Sequence, residues 1–168
     1  RLVDALRHSV PGLSESERLK MVERYRFHYL SHDHELNLYH GAAELIADLH
    51  ASGYVLAVAT GKSRKGLDRA LMHSGLGGYF SATRTADECF SKPHPQMLEE
   101  LMSEFSIPQE RTLMIGDTTH DLQMAINARV DSLAVSHGAH SAEELLALSP
   151  LGCLQGFDEV GTWLRMHA

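Results

Sequence analysis

From Gly41 onward the chain alternates short apolar runs rich in β-formers with amphipathic helical segments, and this alternation limits the fold more than any other feature. "GAAELIADLHASG" (41–53) reads as a helix closed by Gly53 at a C′ position. "YVLAVAT" (54–60) reads as a buried strand, "SRKGLDRALMHSG" (63–75) as the next helix and "FSATRT" as a weak strand. A helix in "PQMLEELMSEFS" follows, then a buried strand in "RTLMIG" (111–116) and a helix in "DLQMAINAR". The pattern ends with a strand in "DSLAVS" (131–136), a helix in "SAEELLALS", a short strand in "GCLQGF" and a helix in "DEVGTWLRM". Apolar strands separated by amphipathic helices predict an α/β fold, a parallel sheet covered by helices on both faces. Residues 1 to about 38 read differently, as wholly helical, with Ser14 or Ser16 as caps and Leu19, Val22, Tyr25, Tyr29 and Leu30 at helical spacing. The change of pattern near His40 and Gly41 divides the chain into a helical appendage, 1–38, and an α/β domain, 39–168.

A chain of 168 residues is long enough for one such domain and buries roughly 70% of its extended surface. Its net charge of −7 argues against nucleic acid as a partner, because phosphate backbones require clustered Lys and Arg. A small anion met in a local positive pocket is compatible with that charge. Cys89 and Cys153 lack C-x-x-C spacing and read as buried, reduced thiols of an intracellular protein. No stretch approaches the roughly 18 consecutive apolar residues of a membrane span, and no signal segment is present. The expectation is a soluble cytoplasmic protein without membrane partners. The chain opens on "RLVDALRHSV", inside a helical pattern and without methionine, which predicts upstream residues.

Ligands of parallel α/β sheets sit at the carboxyl ends of the strands, and three polar motifs lie there or in the adjoining loops. In "ATGKS", the Thr60 hydroxyl beside the amides of Gly61 and Lys62 can cradle a phosphate, or Thr60 or Ser63 can simply cap the next helix. A Walker A loop is ruled out, since G-x-x-x-x-G-K-S needs glycine where Leu56 stands. In "SKPHP", Lys92 sits in a loop stiffened by Pro93 and Pro95; it suits a phosphate, or is a surface lysine before a helix with Pro95 near N1. In "GDTTHD", Asp117 and Asp121 lie one helical turn apart and can face a hard cation such as Mg²⁺. The alternative has Asp117 or Thr119 capping the helix and Asp121 complementing its dipole. The coincidence of all three around successive strands favours phosphate chemistry. His32, His34 and His40 match no closed zinc site, and His120 is a candidate substrate contact. Tyr25, Tyr29 and the methionines read as core.

"LAVATGKSRKGLDRAL", "SKPHP" and "LMIGDTTHDLQMA", in this order and at these intervals, resemble the second, third and fourth motifs of the haloacid dehalogenase superfamily. The resemblance is to its phosphoglycolate phosphatase-like branch and covers nearly the whole chain, with residues 1–38 similar to the latter part of a helical cap. It implies a Rossmann-like core in which Thr60 and the Gly61 amide hold phosphoryl oxygens and Lys92 neutralises charge. It further implies that Asp117 ligates Mg²⁺ directly and that Asp121 does so through water or as a close neighbour. The function implied is a Mg²⁺-dependent phosphatase acting on a small phosphorylated metabolite.

Two departures stand out. The family's Asp-x-Asp first motif, which carries the nucleophile on the central strand, is absent, and "HDHE" offers only Asp33 with no preceding strand. This predicts a central strand, between those ending at Thr60 and Gly116, that lies upstream of the sequence, and a chain that is hydrolytically dead without it. The rival reading is a non-catalytic phosphate- or metal-binding relative; a phosphomutase or dehalogenase is a third, although Lys92 with two aspartates favours phosphate over halide. The second departure is Arg129, where the family usually has glycine before the last strand; it must either accept an awkward turn conformation or mark a slightly different loop.

Overall fold

The computed structural model describes residues 12–32 and 38–167. The chain divides into two compact units, Arg1–Asn37 and Leu38–Ala168. In the first unit, helix α1 spans Glu15–His32. Ser14 caps it, since the Glu17 amide donates to Ser14 Oγ at 3.3 Å while the Ser14 amide donates back to Glu17 Oε2 at 2.9 Å. Of the predicted apolar stripe, Val22 is buried and Leu19 is 54% exposed. The side chains of Tyr25, Tyr29, Leu30 and His32, and all of Asp33 and His34, lie outside the described residues.

The second unit alternates as expected, through α2 (Ala42–Ala51), β1 (Ala57–Thr60), α3 (Arg64–Ser74) and β2 (Ala82–Thr85). It continues through α4 (Gln96–Phe105), β3 (Leu113–Gly116), α5 (Thr119–Ala128), β4 (Asp131–Val135), α6 (Ala142–Leu146), β5 (Gly152–Leu154) and α7 (Phe157–His167). All strand pairings among the described residues are parallel, which follows from helical crossovers between successive strands. They form two ladders, β1–β2 and β3–β4–β5, so β1 and β3 each pair on one side only among the described residues.

That division explains a correction. The apolar run 54–60 was expected to be one buried strand, but only Ala57–Thr60 is extended and laddered, and Tyr54 and Val55 are 43% and 48% exposed. A strand paired on one edge leaves its leading residues in water. β4, paired on both sides, is buried from Ser132 to Val135.

The core collects the inward residues of both helical layers. Met97, Leu98, Met124 and Ala125 pack as one group, and Leu45, Leu133, Val135, Val160 and Leu164 as another. Met97 and Met124 are wholly buried, while Met72 and Met166 are surface residues, so the methionines are only partly core. Cys89 is buried but Cys153 is half-buried, and both are free thiols. Arg129 closes α5 in the left-handed conformation at φ 58°, the first of the two outcomes its sequence position left open. No helix among the described residues is long and apolar enough to cross a membrane.

Candidate active site

Helix α5 follows directly on β3, and its first turn assembles the acidic part of the site. Its N-cap is Thr118: the Asp121 amide donates to Thr118 Oγ1 at 3.2 Å and the Thr118 amide donates to Asp121 Oδ2 at 3.2 Å. Neither Asp117 nor Thr119 caps the helix, which corrects the simpler alternative for this motif. Thr118 does so because its side chain is short enough to reach N3, and T-x-x-D is a capping-box spacing visible in the sequence.

Asp121 is 4% exposed, and both its oxygens are engaged. Oδ2 also accepts from the Thr118 hydroxyl at 2.7 Å, and Oδ1 receives the Lys92 ammonium in a largely buried ion pair. Lys92 is therefore not a surface lysine. The side-chain Nδ2 of Asn127 on α5 donates to the Pro93 carbonyl at 2.8 Å, so this one helix grips the "SKPHP" loop at two points. Pro95 occupies the N-cap of α4, one position before N1. Gly116 is needed for the approach: a Cβ there would lie 2.3 Å from the Cβ of Asp121.

Asp117 is held by a loop that the sequence motifs did not mark. The Ala139 amide donates to Asp117 Oδ2 at 3.0 Å, and the His140 amide donates to the Asp117 carbonyl at 3.2 Å. The Thr119 amide donates to His140 Nδ1 at 3.1 Å, tying the same loop to the first turn of α5. Gly138 leaves no room for a side chain, since a Cβ would lie 2.1 Å from Asp117 Oδ2. The only hint in the sequence is "SHGAHS", a glycine-containing loop just past β4. Among the described residues Asp117 Oδ1 has no hydrogen-bond partner, so it is the carboxylate oxygen available to a ligand. His120 is exposed, its ring centroid 6.0 Å from that of His140.

On β1, Ser63 caps α3, accepting from the Gly66 amide at 3.2 Å, which frees Thr60 from that duty. Thr60 Oγ1 accepts from the Lys62 amide at 3.2 Å, and the Gly61 amide donates to no described residue. The loop thus offers a hydroxyl proton and a main-chain N–H, the donor set an oxyanion requires. The structure joins Lys92 to Asp121 and places Asp117 on the adjoining strand end. Among the described residues no hydrogen bond connects Thr60 or Gly61 to that group. Nor do three or more His, Cys, Asp or Glu side chains gather into a metal cluster among the described residues. His40 is exposed, with Nδ1 3.7 Å from Asp158 Oδ2.

The donors fit a magnesium ion. Mg²⁺ takes one or two carboxylates and fills the remaining positions with water and substrate phosphate. Asp117 offers one unengaged oxygen to such an ion, whereas both oxygens of Asp121 are already engaged by Lys92 and Thr118.

Comparison with known proteins identifies the family. The chain is 39% identical over 121 residues to "Probable phosphatase IndB" of Dickeya dadantii, which covers 71% of this chain and 53% of that protein. It is 31% identical over 156 residues to "Pyrophosphatase PpaX" of Halalkalibacterium halodurans, covering 88% of this chain and 73% of the relative. It is also 31% identical over 142 residues to the "Phosphoglycolate phosphatase" of Vibrio vulnificus, covering 83% and 62%. The chain thus spans between about half and three quarters of the length of these relatives. The crystal structure of a predicted phosphatase from Clostridium acetobutylicum superposes with a TM-score of 0.87 at 24% identity, covering 98% of this chain and 77% of that one, and shares the fold. Residues 3–135 match the haloacid dehalogenase-like hydrolases, and the chain belongs to that family.

Proposed function

We propose that the whole protein is a Mg²⁺-dependent phosphomonoester hydrolase that works through an aspartyl-phosphate. The observation that carries this reading is the largely buried Lys92–Asp121 pair beside Asp117, a carboxylate with one oxygen open. The nucleophile lies on a further parallel strand that fits between β1 and β3. Two features support that position: each of these strands is laddered on one edge only among the described residues, and the relatives are longer. Residues 1–38 belong to a helical cap domain, of which helix α1 is the described part. The setting is cytoplasmic, and the substrate is a small phosphorylated metabolite rather than nucleic acid or membrane lipid.

In this scheme the first carboxylate of the Asp-x-Asp strand attacks phosphorus as the ester P–O bond breaks, and the leaving oxygen takes a proton from the second aspartate, which later recovers one from the attacking water. Water then attacks the acyl phosphate, releasing inorganic phosphate and restoring the carboxylate. Thr60 Oγ1 and the Gly61 amide donate to the transferring phosphoryl oxygens and orient them. The Lys92 ammonium balances their charge while its other contact, Asp121, keeps it from swinging into solvent. Mg²⁺, when bound at Asp117 Oδ1, supplies charge neutralisation for the phosphoryl group. Catalysis of this kind rests on positioning and preorganised charge.

The test is to quench the full chain during turnover of p-nitrophenyl phosphate, reduce with borohydride and map the labelled peptide. A reduced aspartate on an Asp-x-Asp strand is expected; turnover without any labelled carboxylate would refute the covalent route.

A further inference from the structure

The loop that offers Thr60 and Gly61 is not fixed by its own helix alone. The Arg64 amide, first in α3, donates to both oxygens of Asp87, at 2.9 and 3.1 Å. The Ala86 amide donates to the Lys62 carbonyl at 3.1 Å. One segment just past β2 therefore grips the 60–64 loop on both its carbonyl and its amide side. Asp87 is itself held, because the hydroxyl of Thr85, a fully buried residue, bonds to its Oδ1. The Arg64 guanidinium closes the frame, with Nε to Glu88 Oε1 at 2.9 Å, Nη2 to Glu88 Oε2 at 2.7 Å and Nη1 to Thr83 Oγ1 at 2.8 Å. Ser63 serves the Gly66 amide, and Asp87 serves the Arg64 amide, a second of the four donors a helix start leaves free, but it does so from a different segment 23 positions away.

We propose that Asp87 is a positioning residue for phosphate. By holding the Arg64 amide it sets the height of the Thr60–Gly61 turn above β1, so that hydroxyl and amide meet the same phosphoryl group. The inference rests on the phosphate-binding reading of Thr60 and Gly61. Asp87 touches no substrate and acts through the loop. Glu88 and Thr85 support it: the Arg64 guanidinium pairs with Glu88 and holds its carboxyl down to about 2, while the Thr85 hydroxyl bonds to Asp87.

The experiment measures inorganic phosphate binding to the full chain by calorimetry, with Asp87→Ala, Asp87→Asn, Thr60→Val and the Asp87→Ala/Thr60→Val double variant. Asp87→Ala is expected to raise the phosphate Kd roughly three- to ten-fold, the scale of a lost capping contact. Asp87→Asn, which keeps an acceptor for the Arg64 amide, should recover most of that loss. On the Thr60→Val background the Asp87→Ala change should add roughly two-fold or less, because coupled residues are not additive. A folded Asp87→Ala variant with wild-type Kd, or losses that simply multiply in the double variant, overturns the proposal. Should Asp87→Ala not fold, Asp87→Ser against Asp87→Asn carries the same comparison. If Thr60→Val alone leaves phosphate binding unchanged, the phosphate-loop reading fails and this inference falls with it; if only Asp87→Ala is silent, the loop reading stands and the inference does not.

Discussion

Gly138 offers a sharp perturbation because it lies outside every motif that marks the site. A methyl group at Gly138 would stand 2.1 Å from Asp117 Oδ2 and 2.2 Å from its Cβ, against about 3.4 Å for an ordinary contact. Asp117 or the loop must move by more than 1 Å, and the side chain gives way more easily than backbone held by the Ala139 and His140 amides. The glycine does not have a positive φ, so alanine brings no intrinsic backbone strain there. The cost should therefore fall on function: a displacement of about 1 Å at a reacting centre is worth on the order of 100-fold in rate. Gly138→Ala in the full chain should lower Mg²⁺-dependent kcat by about that factor and weaken Mn²⁺ binding measured by electron paramagnetic resonance, with a loss of about 1–3 kcal/mol in urea unfolding. Wild-type kcat with wild-type Mn²⁺ affinity would refute the reasoning, because Asp117 would then tolerate a displacement its role forbids.

Lys92→Met leaves the buried Asp121 carboxylate without its cation and should destabilise the fold by about 3–5 kcal/mol, measured in urea; the Lys92→Met/Asp121→Leu double variant should recover much of it, and equal single and double losses would contradict the pairing. Acid should weaken the fold through Glu88, whose carboxyl is held from its usual 4.5 down to about 2, chiefly by Arg64. The folded value lies below the unfolded one, so this contribution is complete above pH 4.5 and fades as pH falls toward 2. Glu88→Gln should flatten the decline of stability across that window, and an unchanged slope would count against the Arg64 pair.

Much of the fold was legible because its signals are local. The helices of the α/β domain announce themselves by amphipathic period and by caps such as Ser63 and Gly75, and buried β4 by its apolar run. Strand β1 was shorter than its run because extent depends on ladder partners that a sequence does not display. The Lys92–Asp121 pair was within reach, since both residues stood in motifs. Their direct contact was not, because 29 positions and a whole helix separate them. The Gly138–His140 loop and the Asp87 frame were illegible for the same reason: what they do is decided by packing against Asp117 and the Thr60 loop. Thr118 is a different case, for T-x-x-D stood in plain view and the two aspartates drew attention away from it.

The most direct test is phosphate release by the full chain from p-nitrophenyl phosphate, with Mg²⁺ and after chelation, in wild type and in Asp117→Asn. The account predicts turnover that disappears on chelation and is lost in the folded variant. Undiminished release by Asp117→Asn, or release indifferent to chelation, would contradict it.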